Sequence, residues 1–255
     1  MIFNVKLDQY GISRPEKVQW IFPQTNLTFA DHIRSKSLRK FVLQSDELLT
    51  HEGINTVYTV VDNDFYQKWY EFYLQCMDAH DYNVIAPREL IAMKAAEGKT
   101  VEGVFLYKQN TLLGGGIIIR KDDWSSLAYK ASLRIAVGNK SNSSVGGIID
   151  FLYLRNMTEK GIKTITGGRS RNAFGTYNSF GHLEYKLKFG YDMQPDMQGP
   201  ILNEVPMSEK SAVAFLGWRE EGKPLFCCLK KVGTLLSEEY KHYLPDGLQS
   251  LVIEI

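Results

Sequence analysis

Short alternations of apolar and polar residues fill the first sixty positions of the chain. Such alternation, interrupted by Gly, Pro, Ser and Asp, is typical of short strands joined by turns. The predicted strands cover residues 1–7, 17–22, 38–43 and 54–61. No linker rich in Pro, Ser or Gly follows, so we interpret residues 1–53 as an N-terminal β-rich elaboration packed on a main domain of residues 54–255.

Helical spacing begins directly after the last of these strands. Asp62 supplies N-cap chemistry, and large apolar residues then recur every three or four positions to about Ala79. This pattern predicts one long amphipathic helix. Pro87 stands where a second helix would start, and that helix ends near Gly98.

A meander of three strands follows the two helices. Its predicted strands are residues 101–107, 112–120 and 127–137. Because the connections are short, we expect these strands to pair antiparallel. A helix from Val145 to about Lys160 then crosses over to a strand at 162–166, which predicts parallel pairing with its neighbour.

The last third of the chain mixes a helix with strands. We predict a helix over residues 177–189, a hairpin of residues 211–218 and 223–230, and a last strand at 248–255. The complete order of elements predicts an α/β fold. A chain of 255 residues is long enough for one sizeable core with an elaborated end.

Charge and cysteine content narrow the class of protein. The net charge is +1, with 30 basic and 29 acidic residues well mixed, so the charge excess of a dedicated nucleic-acid binder is missing. Cys76, Cys227 and Cys228 have neither the spacing of a zinc site nor that of a disulfide framework. With no signal peptide or apolar span visible, we expect a cytoplasmic protein without a metal.

The most specific pattern lies after the predicted parallel strand. Gly167-Gly168 leads to Arg169 and Asn172, and the run GHLEYKLKFGY from Gly181 to Tyr191 places an aromatic-Lys pair shortly before Phe-Gly. With the order of elements over roughly residues 54–230, this pattern resembles the GNAT superfamily of acyltransferases, and most closely its Fem-type branch. The resemblance implies a GNAT-like mixed, mostly antiparallel central sheet flanked by helices.

The resemblance also implies an activity and two catalytic residues. The expected reaction is N-acyl transfer from an acyl-CoA, such as acetyl-CoA, to an amine of a small molecule or sugar. Tyr185 would protonate the leaving thiolate, and Lys186 would neutralise phosphate or developing negative charge. An aromatic ring packed on the sheet and a solvated helix lysine are the structural alternatives. The general base is not identified, and the candidates are Asp150, Glu184, His182, His80 and Glu71.

The predicted cofactor loop departs from the usual acetyltransferase pattern. Residues 137–147 read VGNKSNSSVGG, without regularly spaced glycines. The start of the following helix nevertheless offers backbone N–H groups and a positive dipole end to a diphosphate. Asn and Ser before a helix are also ordinary caps. The predicted cofactor contacts are Val137, Asn139, Lys140, Ser141, Asn142, Ser143, Ser144, Asn172 and Tyr177.

Three glycines interrupt an apolar strand of the meander. Gly114-Gly115-Gly116 weakens this strand unless a ligand or another backbone comes close, or unless the strand bulges there. In GNAT-like proteins a strand of this sheet splays from its parallel neighbour and opens the cleft for the acyl thioester. Tyr107, Tyr129 and Arg134 lie on strands expected to line that cleft, so we predict that they contact the acceptor.

Two alternative functions remain open from the sequence. Tyr185-Lys186 with Phe189-Gly190, and the basic bias of residues 159–188, fit Fem-type aminoacyl transfer from charged tRNA to a peptide-like acceptor. The near-neutral total charge argues against tight binding of RNA. The unusual cofactor loop and the missing base instead fit a non-catalytic binding module that keeps the GNAT fold.

Overall fold

Strands and helices follow one another in short runs along the chain. The computed structural model describes residues 2–23, 28–79, 83–138, 144–175, 178–208, 212–219, 222–233 and 248–255. The strands are β1 (Ile2–Lys6), β2 (Arg14–Pro15), β3 (Lys17–Phe22), β4 (Ile54–Val60), β5 (Thr100–Lys108), β6 (Thr111–Lys121), β7 (Trp124–Ser132), β8 (Thr164–Arg171), β9 (Asp192–Pro195), β10 (Ile201–Leu202), β11 (Glu204–Ser208), β12 (Val213–Trp218), β13 (Pro224–Lys230) and β14 (Gln249–Glu254). The helices are α1 (Phe29–His32), α2 (Lys36–Leu43), α3 (Ser45–His51), α4 (Asn63–Asp78), α5 (Leu90–Ala96), α6 (Val145–Glu159) and α7 (Phe180–Lys188).

The chain divides into two compact units. One unit is Phe22–Gly168, and the other combines Met1–Ile21 with Arg169–Ile255. The predicted boundary after residue 53 coincides with neither limit. The main chain passes between the units twice, once at the end of β3 and once within β8.

The unit Phe22–Gly168 is built on strands in the order β4-β5-β6-β7-β8. The first three pairs of neighbours are antiparallel, as their short connections predicted. Helix α6 connects β7 to β8, and these two strands are parallel. The predicted mixed, mostly antiparallel sheet is thus confirmed in this unit.

Helices cover both faces of these strands. Helix α4 begins where predicted, because the Asp62 carboxylate accepts the Phe65 N–H at 2.7 Å. Its buried aromatic residues pack against β5, β6 and β7. Helix α6 packs against the opposite face, so the sheet carries a helix on each side.

The three glycines of β6 allow both helical layers to come close. A Cβ at Gly114 would lie 2.7 Å from Val145, and one at Gly116 would lie 2.8 Å from Ile149, both on α6. A Cβ at Gly115 points to the other face and would lie 2.4 Å from the Phe105 ring. Packing of side chains therefore accounts for the glycines, and the two bulges, at Leu113 of β6 and Ala128 of β7, lie outside the glycine run.

A buried carboxylate joins the end of α6 to the strands. Glu102 on β5 accepts hydrogen bonds from Arg120 at 2.7 Å, from Lys160 at 3.0 Å and from the Tyr58 hydroxyl at 3.0 Å. Burial alone would raise the pKa of Glu102, but these three donors outweigh it and hold the pKa below its ordinary value of 4.5. The network thus stabilises the ionised carboxylate.

We expect Glu102→Gln to lower the free energy of unfolding at pH 7 by about 2 kcal/mol, because it removes the charge but keeps the size of the side chain. The lowered pKa stabilises the folded state above pH 4.5, and this contribution is lost as the pH falls through the folded-state pKa. Urea titrations of both proteins from pH 7 to pH 3 measure the difference. A difference that does not shrink on acidification would contradict an ionised Glu102.

Three helices lie between Phe29 and His51, before β4, which corrects the prediction of a strand at residues 38–43. Residues 38–43 lie in α2, not in a strand. Ser35 caps this helix by accepting the Leu38 N–H at 3.4 Å, and Phe41 and Val42 are buried on one side of it. Helices α1 and α3 flank it, so β1 and β3 are the strands that remain of those predicted within residues 1–53, and β2 was not predicted.

The second unit contains small groups of strands. Strands β1, β2 and β3 pair antiparallel with β11, β10 and β9, respectively. Strands β12 and β13 form the predicted hairpin, and β14 joins β13 in parallel. Partners from the two ends of the chain therefore meet within this unit.

Three general properties concern the described part of the chain. Cys76, Cys227 and Cys228 are buried and free, and burial raises the pKa of all three thiols, that of Cys227 to about 12. Among the described residues, no helix combines the length and the apolar character that crossing a membrane requires. Within those residues, no cluster of His, Cys, Asp and Glu forms a metal site.

Candidate functional site

Strands β7 and β8 pair over only part of their length. Their ladder runs from Trp124 opposite Thr164 to Ser126 opposite Thr166 and ends there, although β7 continues to Ser132. The pair Gly167-Gly168 follows at once, and Gly168 has a φ of 81°, which favours glycine. The splay expected of a GNAT-like sheet therefore begins between β7 and β8, beside these glycines, and not at the glycines of β6.

A buried tyrosine occupies the point where the ladder ends. The hydroxyl of Tyr153, on α6, donates to the Thr166 carbonyl at 2.9 Å and lies 3.0 Å from the Ser125 hydroxyl. All three residues are almost completely buried, and burial raises the pKa of Tyr153, so this phenol stays neutral. One side chain thus joins α6, β7 and β8 where the two strands separate.

The first turn of α6 has a well-formed cap. Ser144 Oγ accepts the Gly147 N–H at 3.1 Å, while Ser144 forms an isolated bridge with Ala136 that closes the base of the preceding loop. The capping interpretation of Ser144 is therefore confirmed. Its predicted contact with a cofactor stays a prediction, because a capping oxygen still leaves the other N–H groups of a first turn directed outward.

An ion pair ties the same part of α6 to β7. Lys130 donates to the carboxylate of Asp150, which is 1% exposed, and to the Gly146 carbonyl at 3.2 Å. The Lys130 side chain keeps 30% of its surface exposed. A cation therefore lies beside the first turns of α6, on the part of β7 that no longer pairs with β8.

In the second unit, the conspicuous run of α7 forms a particular helix end. Gly190 has a φ of 90°, its N–H bonds to the Leu187 carbonyl at 3.0 Å, and the Tyr191 N–H bonds to the Lys186 carbonyl at 3.1 Å. These two bonds define a Schellman motif, which requires a left-handed residue at the position of Gly190. The Phe-Gly of the sequence pattern thus serves to end the helix.

This helix end places the two predicted catalytic residues in different environments. Lys186 is only 7% exposed, and its Nζ lies 4.6 Å from the centre of the Tyr191 ring. Tyr185 is half-buried, and its ring lies 4.8 Å from that of Phe189. The alternative of a solvated lysine is therefore wrong for Lys186, whereas the catalytic roles of both residues stay predictions.

Asn172 lies at the centre of a buried backbone clamp in the second unit. Its amide donates to the carbonyls of Pro15 and Leu216 and accepts the Leu216 N–H at 2.7 Å. Arg14 donates twice to the Asn172 carbonyl, at 2.8 and 3.2 Å, and its guanidinium lies over the Phe215 ring. These bonds give Asn172 a structural role, and its contact with a cofactor stays a prediction.

The predicted acceptor contacts do not form one group. Tyr107 and Tyr129 are partly buried against the aromatic residues of α4, on the face of the sheet opposite α6. Arg134 is exposed and lies after the end of β7, which stops at Ser132 and not at Val137. Only the two tyrosines therefore share a face.

The candidate bases have distinct surroundings. Asp150 is paired with Lys130, Glu184 is paired with Lys188 at 2.6 Å, and His182 lies edge-on to Trp20 with ring centres 6.1 Å apart. Glu71 is exposed on α4. His80 lies outside the described residues, and so do the predicted cofactor contacts Asn139, Lys140, Ser141, Asn142, Ser143 and Tyr177.

The structure gives roles to three residues that the sequence did not predict, namely Tyr153, Lys130 and Arg14. Tyr153 and Lys130 act through partners more than a dozen positions away, so no local pattern marks them. Arg14 carried no signal either, since its partner Asn172 is 158 positions away.

Val137 was predicted to contact a cofactor. It is 1% exposed and lies just before the loop that precedes α6.

Sequence comparison identifies no relatives. No protein-family model matches the chain, and no curated protein matches its sequence.

Comparison of structures does find similar folds. FemX matches with a TM-score of 0.51 and 12% identity, over 74% of this chain and 65% of the FemX chain. L-PGS from Bacillus licheniformis matches with a TM-score of 0.42, 12% identity, and 68% and 51% coverage of the two chains. A tandem GNAT protein from the clavulanic acid biosynthesis pathway has a TM-score of 0.41, 10% identity, and 73% and 53% coverage.

The FemX match is the one that supports the fold, since the other two TM-scores are below 0.5. This chain spans about 65% of the length of FemX, and 12% identity speaks for a shared fold only. The chain has the GNAT-like, Fem-related α/β fold that its sequence pattern predicted.

Proposed function

We propose that this protein is an N-acyltransferase that moves an acyl group from an acyl-CoA to an amine of a small molecule or sugar. The early end of the β7–β8 ladder beside the first turns of α6 is the observation that carries the proposal. In a GNAT-like fold, such a splay admits the acyl thioester, and the adjacent helix start binds the diphosphate. The sequence resemblance supplies this functional interpretation.

The described residues of α6 suit a diphosphate in three respects. The helix has fifteen residues, so its dipole is developed at the N-terminus. Lys130 places a cation beside Gly146, and the absence of a side chain at Gly146 lets α6 lie close to Ser132 and Lys130 of β7. Ser144 fixes the direction of the first turn through its cap. Donor binding by this turn is therefore chemically reasonable.

The proposed reaction needs an acid, a positive charge and a base besides the donor site. The amine attacks the thioester carbonyl, the C–N bond forms and the C–S bond breaks, and the leaving thiolate takes a proton. Tyr185 supplies that proton in the proposal, and the Lys186 ammonium stabilises negative charge that develops in the transition state. The proton released by the amine goes to a base that we do not assign.

Aminoacyl transfer from charged tRNA to a peptide-like acceptor is the second candidate. It is favoured by the buried Lys186 in a Tyr-Lys…Phe-Gly pattern and by the likeness of fold to FemX. A net charge of +1 weighs against it, because RNA binding depends on an excess of basic residues. A third possibility, a GNAT-fold binding module, would bind a donor without turning it over.

Titration calorimetry with CoA, acetyl-CoA and longer acyl-CoAs tests the donor. We expect binding, and we expect Ser144→Asp to weaken it at least about tenfold, since a carboxylate beside a diphosphate costs more than 1.4 kcal/mol. Asp caps a helix as well as Ser does, so the variant should keep its melting temperature.

Ser35→Asp provides the matched control. Ser35 caps α2 in the same manner, and the substitution adds the same charge at a position far along the chain from residue 144. It should bind the donor normally. If the folded protein does not bind acyl-CoA at millimolar concentration, the proposal is wrong. Retention of charged tRNA on filters at low salt, lost as salt rises, would support the second candidate instead.

A further inference from the structure

Strand β4 forms one edge of its sheet. It pairs with β5, and within the described residues no other strand pairs with it. Edge strands of natural proteins are usually protected by lysines, prolines, bulges or a covering element. The sequence of β4, INTVYTV, contains no charged residue, no proline and no glycine, and its ladder with β5 is continuous from Ile54 to Val60.

The ladder also shows which backbone groups face outward. The Val61 N–H bonds to the Val101 carbonyl at 2.9 Å, and alternate residues of an antiparallel strand point their N–H and C=O to the same side. Odd-numbered residues of β4 therefore face β5, and even-numbered residues face away from it. The outward residues are Ile54, Thr56, Tyr58 and Val60.

We propose that this edge pairs antiparallel with β4 of a second copy of the chain, about a two-fold axis at Val57. Only an arrangement that opposes outward residues to outward residues completes the hydrogen bonds. The resulting cross-strand neighbours are Ile54 with Val60, Asn55 with Thr59, Thr56 with Tyr58, and Val57 with itself. This proposal does not depend on the enzymatic activity.

The side chains of β4 fit a second copy of the same strand. In this register, β-branched residues lie opposite β-branched or aromatic residues, and the polar Asn55 lies opposite Thr59, which are favourable cross-strand pairs. Val57 and Val60 are 38% and 66% exposed, so pairing would cover apolar surface on both faces. A peptide of unrelated sequence would lack this matching.

Charges at the ends of the strand are partly compensated in the same register. Asp62 of one copy would arrive opposite Glu52 of the other, two like charges. Lys108 lies 3.6 Å from Glu52 and supplies the counter-charge at that place. The antiparallel arrangement therefore brings an acidic end against an end that carries a lysine.

Cysteine cross-linking tests the register directly. At a non-hydrogen-bonded antiparallel pair the two Cα atoms lie about 4.5 Å apart, within the range of a disulfide. We expect Val57→Cys to give a covalent dimer under mild oxidation. Thr59→Cys is the control, since its two copies would be displaced by about 14 Å along the strands. The native cysteines are buried and leave the result unambiguous.

Sedimentation equilibrium of the full chain tests the association itself. We expect the mass to rise with concentration from 29.1 kDa towards twice that value. Val57→Lys, which opposes two lysines, and Thr56→Pro, which removes an outward N–H and spares the β5 ladder, should each give a monomer. Val252→Lys, at a valine 42% exposed on β14, should leave the association unchanged.

Three results would overturn the proposal. One is a mass that stays at 29.1 kDa at every concentration. The second is a dimer that persists in both Val57→Lys and Thr56→Pro. The third is a cross-link that forms as readily through Thr59→Cys as through Val57→Cys, because the register would then be wrong.

Discussion

Gly115→Val should lower the free energy of unfolding by about 3 kcal/mol, the upper part of the range for an overfilled core. A Cβ at Gly115 would lie 2.4 Å from the Phe105 ring and 3.0 Å from the Trp69 indole nitrogen. Phe105 is fully buried and its ring centre lies 4.6 Å from that of Phe65, so the ring has no space into which it can move. Denaturation by urea measures the loss.

Gly181→Ala is the matched control for this substitution. Gly181 is an exposed residue near the start of α7, and the nearest atom to its Cβ would be 3.8 Å away. Alanine should raise the free energy of unfolding by about 0.5 kcal/mol there, because glycine is a poor helix former. If the Gly115 variant is as stable as the unmodified protein, the packing between β6 and α4 can make room for the added side chain, and the expected steric clash is wrong.

Lys186→Met should lower kcat/KM at least about a hundredfold, the usual loss when one group that stabilises developing negative charge is removed. Methionine keeps the apolar length of the side chain against Tyr191, so the helix end should remain folded. Tyr185→Phe should lower kcat about a hundredfold as well, because the ring stays against Phe189 but the acidic proton is lost. Release of CoA from acetyl-CoA with a panel of primary amines provides the assay.

Lys188→Met is the control for Lys186→Met. It removes a positive charge from the same helix at a position without a proposed catalytic role. Lys188 is exposed and bonds to Glu184 at 2.6 Å, so its removal should change kcat/KM by less than threefold. Equal losses in the Lys186 and Lys188 variants would reduce the role of Lys186 to general electrostatics. An active enzyme that tolerates both Lys186→Met and Tyr185→Phe would contradict the assigned site.

Local patterns were sufficient to predict most of the unit Phe22–Gly168. The N-cap at Asp62 and the spacing of apolar residues placed α4 within a residue of its observed ends. Short connections predicted the antiparallel meander, and the crossover helix predicted that β8 is parallel to β7. These features depend on interactions between residues that are close along the chain.

Helix α2 was missed because residues 38–43, with only four apolar residues, form too short a stretch to show their period. Leu38, Phe41 and Val42 keep helical spacing, and Leu43 is 69% exposed, which a run of alternating residues would not explain. The pairing of β1 with β11 could not be predicted either. Its partners are about two hundred positions apart, and nothing local specifies such a register.

The candidate site was predicted only where it coincides with a local motif. Gly190 follows from the need for a left-handed residue at a helix end, which a sequence pattern can reveal. Lys130 and Asp150 lie on different elements, so their pairing depends on how α6 is placed over β7. The glycines of β6 were ambiguous for the same reason, since their neighbours come from α4, α6 and β5.

Helix α6 is tied to three strands, through Asp150 in its second turn, Tyr153 in its third and Lys160 just after its end. The helix, β5, β7 and the part of β8 up to Thr166 therefore form one cross-linked block. Separation of α6 from any of these strands must break an ion pair or a buried hydrogen bond. We therefore expect the backbone amides of α6 to exchange with solvent only when the whole block unfolds.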